Sequence, residues 1–280
     1  MIRTVVQPVL DLARSRSGAR EVQFTPATVR GGNILYYWLW AHAGLRTGYR
    51  RAVLNTDHMA SWLNEFPVLS SLTTSRHDVR LLDRRTFATR HHFGTSYTAD
   101  ENIAFCRWLL AHTPSFARRI DSMSIHVDEQ TCVINVRRGD YYSVPAHAAE
   151  FGIDIRRHVV EALKIVRGAG RPTEDFLVVS DDTEWCRTHL QDVLPAPMRF
   201  LPDRRDMFDD LAVLAAARSL VLANSTFSYW GSFLARSMSD DHMAVAPPLH
   251  QRTSDGRRIT DLFDPRWHRT GESAADGTMS

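Results

Sequence analysis

The chain has 280 residues, of which 44% are hydrophobic and 24% are charged. These are ordinary values for a globular protein, so they exclude collagen-like, low-complexity and wholly disordered chains. The 34 basic and 32 acidic residues leave a formal charge of only +2, which excludes the broad positive surface of a general nucleic-acid-binding protein. An anionic ligand must therefore be bound by a few arginines at defined positions.

Residues 1–20 predict a short helix followed by a linker. Apolar residues recur at helical spacing from Ile2 to Leu10, before a polar segment that begins at Ser15. Docking of this helix on the fold is favoured over peripheral membrane contact, because its polar face is not markedly basic. No apolar segment has the length of a signal peptide or of a membrane span, so we expect no transmembrane segment.

The three cysteines form neither an even set nor a Cys-x-x-Cys pair. This pattern predicts free thiols in a reducing compartment, and hence a cytoplasmic protein.

Residues 21–125 are predicted to form an N-terminal α/β half. The run EVQFTP predicts a strand, a turn with two glycines follows at residues 30–33, and an aromatic helix begins at Ile34. A strand, a glycine turn and a helix are the opening of a Rossmann-like unit. Further segments predict a second strand (51–57), a third strand (78–83) and an amphipathic helix (99–112).

Residues 126–268 are predicted to form a more regular C-terminal Rossmann-like half. The runs TCVINVRRGD, FLVVSDD, MRFLP and SLVLANS each precede a helical segment, and HMAVAPP ends the series. Four such alternations predict a parallel sheet that is covered on both faces and binds ligands at the carboxyl ends of its strands. Residues 269–280 are small and polar, and are predicted to be a disordered tail.

Several nucleotide and metal motifs are missing. The single lysine, Lys164, precedes an isoleucine and RGAGRPT lacks the third glycine of the dinucleotide fingerprint, which excludes a Walker-type nucleotidase and a Rossmann dehydrogenase. There is no His-Glu-x-x-His and no Asp-x-Asp that could hold a diphosphate through a cation. We therefore expect no metal site and no cofactor.

The segment Asn135-Val136-Arg137-Arg138-Gly139-Asp140-Tyr141 lies where a buried strand meets a loop. Two guanidinium groups at the mouth of a sheet suit a diphosphate. The alternative is a salt-bridged strand end in which Asp140 holds one arginine, and the residues alone favour neither interpretation.

Polar residues follow two other predicted strands. Ser225, Thr226 and Phe227 open a helix, where unpaired backbone N–H groups and the helix dipole favour a phosphate. N-capping without a ligand explains Ser225 or Thr226 equally well. Asp181 and Asp182 could accept hydrogen bonds from a ligand, or could cap the next helix.

In order and spacing, the strings NVRRGDY, VVSDDTEWC, DMFDDLAVLAAARSLVLANSTFSYWGSFLA and MAVAPP resemble the α-1,2-fucosyltransferases of glycosyltransferase family eleven. Members carry His-x-Arg-Arg-Gly-Asp-Tyr, Ser-Asp-Asp-x-x-Trp-Cys and Asn-Ser-Ser/Thr-Phe-Ser-Trp-Trp-Gly segments. The resemblance covers residues 130–250 closely, and GGNILYYWLWAHAG looks like a divergent copy of the family's opening segment. It implies an α/β fold of the GT-B-like kind, with two facing Rossmann-like halves and parallel sheets.

The resemblance further implies that the first half lies on the acceptor side, that the second half binds a GDP-fucose donor, and that transfer inverts the anomeric carbon without a metal. Two residues depart from the family pattern. Asn135 stands where the family usually has histidine, and Ile34 where it usually has glutamine. Both departures leave the identity of the donor sugar open.

The role of Arg137 follows from the same resemblance, and the roles of the other residues follow from their positions at strand ends and turns. Arg137 stabilises the charge that grows on the departing β-phosphate, and Asp140 is the nearby catalytic carboxylate. Pairing with an arginine would make Asp140 a poor base, in which case the departing phosphate takes the proton. Arg138 supports the loop through Asp140. The residues implied to bind the donor are Asn33, Asn135, Arg138, Asp181, Asp182, Ser225, Thr226 and Phe227.

The leading hypothesis is therefore an enzyme that moves L-fucose from GDP-fucose to a hydroxyl of a β-galactoside, in a galactose-containing glycan or glycoside, with an α-1,2 linkage. A transferase for another GDP-sugar is one alternative. A catalytically silent nucleotide-sugar-binding protein is the other. Nucleic acid is not an expected partner.

Overall fold

The computed structural model describes residues 14, 17–87, 91–171 and 173–271, without the side chains of residues 91–93. The helix predicted near Ile2 and the end of the predicted tail, residues 272–280, lie outside the described residues. The chain divides into two compact units, which are Met1–Tyr97 with Trp108–Thr113, and Thr98–Arg107 with Pro114–Ser280.

The first unit contains a small parallel sheet. Its strands are β1 (Glu21–Phe24), β2 (Arg51–Leu54), β3 (Thr73–Thr74) and β4 (Arg84–Phe87). Its helical segments are α1 (Asn33–Thr47), α2 (Ala60–Glu65) and the 3₁₀ turns Asp57–Met59, Pro67–Leu72 and His91–Ser96. The strand order is β3-β2-β1-β4, and every pair is parallel. The first two predicted strands and the aromatic helix between them are confirmed.

The third strand predicted for residues 78–83 is wrong. Leu81 is 95% exposed, and the buried carboxylate of Asp83 accepts the backbone N–H groups of Arg20 and Arg80 at 2.8 and 3.0 Å, which closes a turn. Strands β3 and β4 flank this turn. Because β4 is a largely exposed edge strand, its residues lack the apolar pattern that marks a buried strand.

The second unit contains a larger sheet, and helices connect the first five of its strands in chain order. Its strands are β5 (Thr131–Val136), β6 (Asp175–Ser180), β7 (Met198–Phe200), β8 (Ser219–Val221), β9 (Met243–Ala246), the hairpin β10 (Gln251–Arg252) and β11 (Arg258–Ile259), and β12 (His268–Arg269). Its helices are α3 (Ala99–Ala111, shared with the first unit), α4 (Pro114–Ser124), α5 (Gly139–Ser143), α6 (Pro145–Phe151), α7 (Ile155–Gly168), α8 (Thr183–Leu190), α9 (Met207–Ala216) and α10 (Thr226–Met238). The four predicted alternations are confirmed, and so is the α/β class with parallel sheets.

The order of the six parallel strands is β12-β9-β8-β5-β6-β7. The first strand of the unit, β5, therefore lies in the middle, with β6 on one side and β8 on the other. From β5 the chain adds β6 and β7 on one side of the sheet, and then β8, β9 and β12 on the other side. The order of the strands therefore reverses between β5 and β8. In open α/β sheets, ligands bind beyond the carboxyl ends of the strands at such a switch point.

Strand β5 is buried along its whole length, as expected for a central parallel strand with helices on both faces. On one face, Ile134 and Val178 pack against Val159 of α7 in a continuous apolar core. This core gives the carboxyl ends of β5, β6 and β8 a fixed position relative to one another.

The boundary between the units differs from the one predicted after residue 125. Helix α4 belongs to the second unit, where Arg119 pairs with Asp206 at 2.7 Å and with Asp209 at 2.9 Å. These carboxylates lie at the start of α9. Pairing across a long sequence interval is invisible to a pattern of local hydrophobicity, so the sequence placed α4 with the preceding helix.

The predicted tail also begins later than residue 269. Arg269 is part of β12, which pairs with β9. Thr270 is buried, and the N–H of Gly271 donates to Glu161 at 3.0 Å. These contacts make residues 269–271 part of the second unit.

Candidate functional site

Arg137 directly follows β5, at the carboxyl edge of the sheet. Its guanidinium forms two ion pairs, from Nη1 to Asp181 Oδ2 at 2.8 Å and from Nη2 to Asp140 Oδ1 at 2.8 Å. The register that pairs Val136 with Ser180 brings Arg137 beside Asp181, because each is the next residue of its strand. The Arg137 side chain is 41% exposed, so these pairs orient the guanidinium more than they stabilise the fold.

Gly139 makes this arrangement sterically feasible. Its φ is +26°, a conformation that residues with a side chain rarely adopt. A Cβ atom here would lie 2.8 Å from Asp181 Oδ2 and 3.2 Å from Arg137 Cζ. The glycine therefore lets the loop pass directly against the Arg137–Asp181 pair.

Arg138 lies between two aromatic rings. Its Cζ is 4.3 Å from the ring centroid of Trp185 and 5.1 Å from that of Tyr142. Its Nε pairs with Asp182 at 3.3 Å, and its backbone N–H donates to Asp181 at 2.8 Å. These contacts fix the position of Arg138 beside Arg137.

Asp140 has a different partner from the one predicted. The predicted support of Arg138 through Asp140 is wrong, because Asp140 Oδ1 accepts from Arg137 Nη2 at 2.8 Å. Asp140 Oδ2 lies 3.7 Å from Nδ1 of His147 on α6. His147 belongs to no sequence motif, so only the structure reveals it. A carboxylate and an imidazole beside one guanidinium are groups that could transfer a proton in this part of the site.

Asn135 is buried near the end of β5. Its Nδ2 donates to the carbonyl oxygen of Val179 on β6 at 2.9 Å, so the amide helps to join the two strands. A contact between Asn135 and a donor stays a prediction.

Helix α10 begins beyond β8, at the switch point. Ser225 is its N-cap, and Ser225 Oγ accepts the backbone N–H of Phe227 at 3.3 Å. Thr226 is buried. The N-capping alternative therefore describes Ser225, while the helix still presents its N-terminal dipole at the edge where an anion would be stabilised. Donor contacts of these three residues stay predictions.

The two aspartates after β6 also have protein partners. Asp182 is the N-cap of α8, where it accepts the backbone N–H of Trp185 at 3.0 Å. Asp181 holds both arginines, as described above. N-capping is thus observed for Asp182, and contacts of either aspartate with a nucleotide stay predictions.

A pair of stacked rings lies beneath Arg137. The rings of Tyr141 and Phe151 are 5.0 Å apart and inclined at 19°, and Arg137 Cζ lies 5.9 Å from the Tyr141 ring. Burial raises the pKa of Tyr141 to about 12, so its phenol stays protonated at neutral pH. Phe151 lies outside every predicted motif.

Asn224 fixes the end of α6 that carries Phe151. Its Nδ2 donates to the carbonyl oxygen of Phe151 at 2.7 Å, and its Oδ1 accepts from the Tyr229 hydroxyl at 3.0 Å. The Tyr229 hydroxyl is 3.2 Å from Nδ1 of His250. Asn224 is the second residue of the ANSTFSYWG segment, so its position in a motif signalled importance although its role was not predicted.

An open pocket lies beyond β5 and β8. Arg137, Asn135 and Asn224 line it together with mainly apolar and aromatic side chains. The space that it encloses is about the size of one small chemical group, far smaller than a whole sugar nucleotide.

Asn33 is the first residue of α1, in the first unit, and its role as a donor ligand stays a prediction. The three cysteines are buried and free, as the sequence predicted. Within the described ranges, no group of three or more His, Cys, Asp or Glu side chains is placed to hold a metal ion. In the same part of the chain, no helix has the length and apolarity needed to cross a membrane.

A doubly wound parallel sheet with an oriented arginine and a helix N-terminus at its switch point defines a Rossmann-like ligand-binding protein. The chain belongs to glycosyl transferase family 11, whose sequence model matches residues 57–269. The family predicted from the motifs is confirmed. The match also reaches further into the first half of the chain than the resemblance over residues 130–250.

Two curated relatives come from Escherichia coli. An alpha-1,2-colitosyltransferase is 24% identical over 179 residues, which are 58% of this chain and 59% of that protein. The O-antigen biosynthesis glycosyltransferase WbnK is 25% identical over 124 residues, which are 42% of this chain and 38% of that protein. The matched region thus spans less than two thirds of the length of either relative.

Among solved structures, the chain is similar to the NodZ alpha-1,6-fucosyltransferase soaked with GDP-fucose, with a TM-score of 0.42, 12% identity and coverage of 77% of this chain and 92% of that one. It is also similar to POFUT1 in complex with GDP-fucose, with a TM-score of 0.41, 13% identity and coverage of 69% and 58%. TM-scores of this size do not assign a function.

Proposed function

We propose that this protein is an inverting glycosyltransferase that moves L-fucose from GDP-fucose to a hydroxyl of a β-galactoside, with an α-1,2 linkage. Membership of the family supports glycosyl transfer, and the resemblance of the motifs supports the sugar and the nucleotide. One observation carries the proposal. Arg137 is an exposed guanidinium, oriented by two carboxylates, at the switch point of a doubly wound sheet.

In such a transfer, the acceptor hydroxyl attacks the anomeric carbon while GDP leaves, and negative charge grows on the β-phosphate. A guanidinium already oriented towards that phosphate stabilises the transition state more than the bound substrate. Arg137 has this role, and the N-terminus of α10 supplies further positive potential. Asp140 is the carboxylate near the reacting atoms, and the departing phosphate is the other acceptor for the proton of the attacking hydroxyl.

The acidic groups around the arginines are compatible with phosphate binding. Arg137 and Arg138 face Asp140, Asp181 and Asp182, while a guanidinium carries five N–H donors, more than two carboxylates use. Asp181 is 26% exposed and Asp140 is 51% exposed. We therefore expect the diphosphate to replace Asp140 as the partner of Arg137, while the ion pair with Asp181 keeps the guanidinium in place.

A second donor has specific support, because the first relative is named an alpha-1,2-colitosyltransferase. Colitose is fucose without its 3-hydroxyl group. Together with Asn135 in place of the family's histidine, this name favours testing GDP-colitose beside GDP-fucose. The same phosphate-binding groups would serve either donor.

The proposal is tested by incubating the purified protein with a panel of GDP-sugars and galactosides, and by measuring new glycosides and GDP by mass spectrometry. Arg137→Ala should lower turnover at least about 100-fold, because losing one contact to transition-state charge typically has this effect. Arg218→Ala is the matched control. Arg218 is 40% exposed and also pairs with two carboxylates, those of Glu129 and Asp241, but it precedes β8 at the opposite edge of the sheet.

Turnover of GDP-fucose by the wild type and Arg218→Ala, but not by Arg137→Ala, is the expected result. Equal turnover in all three proteins would remove Arg137 from the mechanism. Release of GDP only from GDP-colitose would replace fucose by the second donor. Binding of GDP-sugars without any glycoside product would contradict catalysis altogether.

A further inference from the structure

The pocket beyond β5 and β8 is apolar below Arg137. The side chains that form this part are those of Phe151, Ile153, Ile155, Val159 and Ala223. They come from the end of α6, from the link between α6 and α7, from α7 and from the turn after β8. The pocket therefore has an apolar interior next to one charged group.

Three polar side chains that line the same pocket, those of His158, Tyr142 and Asn224, are hydrogen-bonded within the protein. His158 contacts Thr270 Oγ1 through Nδ1 at 2.8 Å and the Leu222 carbonyl through Nε2 at 2.9 Å. The Tyr142 hydroxyl donates to the carbonyl of Ile153 at 2.8 Å. Burial lowers the pKa of His158 to about 4, so the imidazole is neutral at physiological pH.

Asn224 is engaged in the same way, with its amide nitrogen on the Phe151 carbonyl and its oxygen on the Tyr229 hydroxyl. A hydroxyl group that entered the apolar part would have to compete with these bonds. A methyl group would only exclude water from apolar surface, which is favourable.

We propose, on the basis of the proposed function, that this pocket seats the C6 methyl group of a 6-deoxyhexosyl donor. Arg137 lies on the same pocket, so the β-phosphate at the guanidinium and the methyl group in the apolar part bind to one continuous surface. The pocket then selects a 6-deoxy sugar and disfavours a sugar with a hydroxymethyl group. The apolar side chains of α7 are the specificity-determining residues.

The matched pair of ligands is GDP-L-fucose and GDP-L-galactose, which differ only by the hydroxyl on C6. Calorimetry measures the affinity of the protein for each of them, with GDP alone as the reference. No acceptor is needed for this measurement. The wild type should bind GDP-L-fucose about 10- to 100-fold more tightly than GDP-L-galactose, the range in which an apolar pocket rejects an added hydroxyl. Equal affinities would overturn the pocket assignment, whereas absence of fucose transfer would overturn only the proposed function.

Val159→Thr places a hydroxyl in the pocket while keeping the shape of the side chain. In a helix that hydroxyl can donate to the carbonyl of Ile155, four residues earlier, and still accept from the C6 hydroxyl of galactose. The preference for GDP-L-fucose should narrow at least about 5-fold in this variant.

Val166→Thr is the matched control, because Val166 is buried on the same face of α7, two turns away, and does not line the pocket. It should retain the wild-type preference. An equal change in both variants would overturn the assignment. So would a change in affinity for the acceptor, rather than for the donor, in Val159→Thr, because the pocket would then hold the acceptor.

Discussion

Gly139→Ala should impair the site far more than it impairs the fold. The residue has a φ of +26°, where an alanine costs about 1–2 kcal/mol. Its Cβ would also lie 2.8 Å from Asp181 Oδ2, closer than a real contact allows, so the Asp181 carboxylate and the Arg137 guanidinium must shift. A misplacement of about 1 Å at a reacting centre can lower the rate about 100-fold. We therefore expect kcat/KM to fall about 10- to 100-fold.

Gly170→Ala provides the control for backbone strain. Gly170 has a φ of +72°, a Cβ added to it would meet no other atom within 4 Å, and it follows α7 at the opposite edge of the sheet. Thermal unfolding should show a similar loss of stability in both variants, equivalent to a few degrees in Tm. Turnover should fall only in Gly139→Ala. A Gly139→Ala variant with the turnover and GDP-sugar affinity of the wild type would refute the steric reasoning.

Three further predictions concern the nucleotide, the metal and pH. Asn135→Leu should weaken GDP binding by about 1–3 kcal/mol while Asn135→His retains activity, because a neutral hydrogen bond suffices there; equal GDP affinity of the wild type and the leucine variant in calorimetry would contradict this. Transfer should persist in excess EDTA, and a requirement for added Mn²⁺ or Mg²⁺ would show that a cation supplies charge attributed to arginine. Burial lowers the pKa of His158 and His242 from 6.5 to about 4, so protons bind preferentially to the unfolded chain between these values. The free energy of unfolding should therefore be unaffected by these histidines above about pH 6.5, and each histidine should lower it by about 2 kcal/mol at pH 5. Urea unfolding at pH 7 and pH 5 measures this difference. Equal free energies of unfolding at the two pH values would be inconsistent with the burial of the histidines.

The second unit was predictable because its central strands are buried on both faces. CVI and FLVV within them are continuous apolar runs, which is the pattern of such strands. The strands of the first unit were harder to predict, because its short edge strand β4 is mostly polar and the nearby apolar residue Leu81 is almost fully exposed. The pattern of apolar residues indicates which residues are buried. It therefore fails to predict a strand that is exposed, and it misleads where an apolar residue lies outside the core.

The site was predictable in its residues but not in its pairing. Arg137 and Asp181 each follow a recognisable strand, so their meeting at one edge of the sheet could be expected. Which carboxylate holds which arginine depends on the register of β5 against β6 and on the positive φ of Gly139. His147 and Phe151 lie on the short helix α6 after the motif, and no periodicity indicates that this helix folds back towards Arg137.

The central position of β5 also governs how the chain acquires its structure. Cys132 of β5 pairs with Phe176 of β6, but its partner on the other side is Ser219 of β8, about 90 residues later. Pairings over such long intervals form slowly. While the chain is being synthesised, β5 is an apolar strand with one open edge, the kind of surface that promotes association between unfinished chains. The strand that Arg137 and Arg138 follow thus keeps one unpaired edge until β8 has been synthesised.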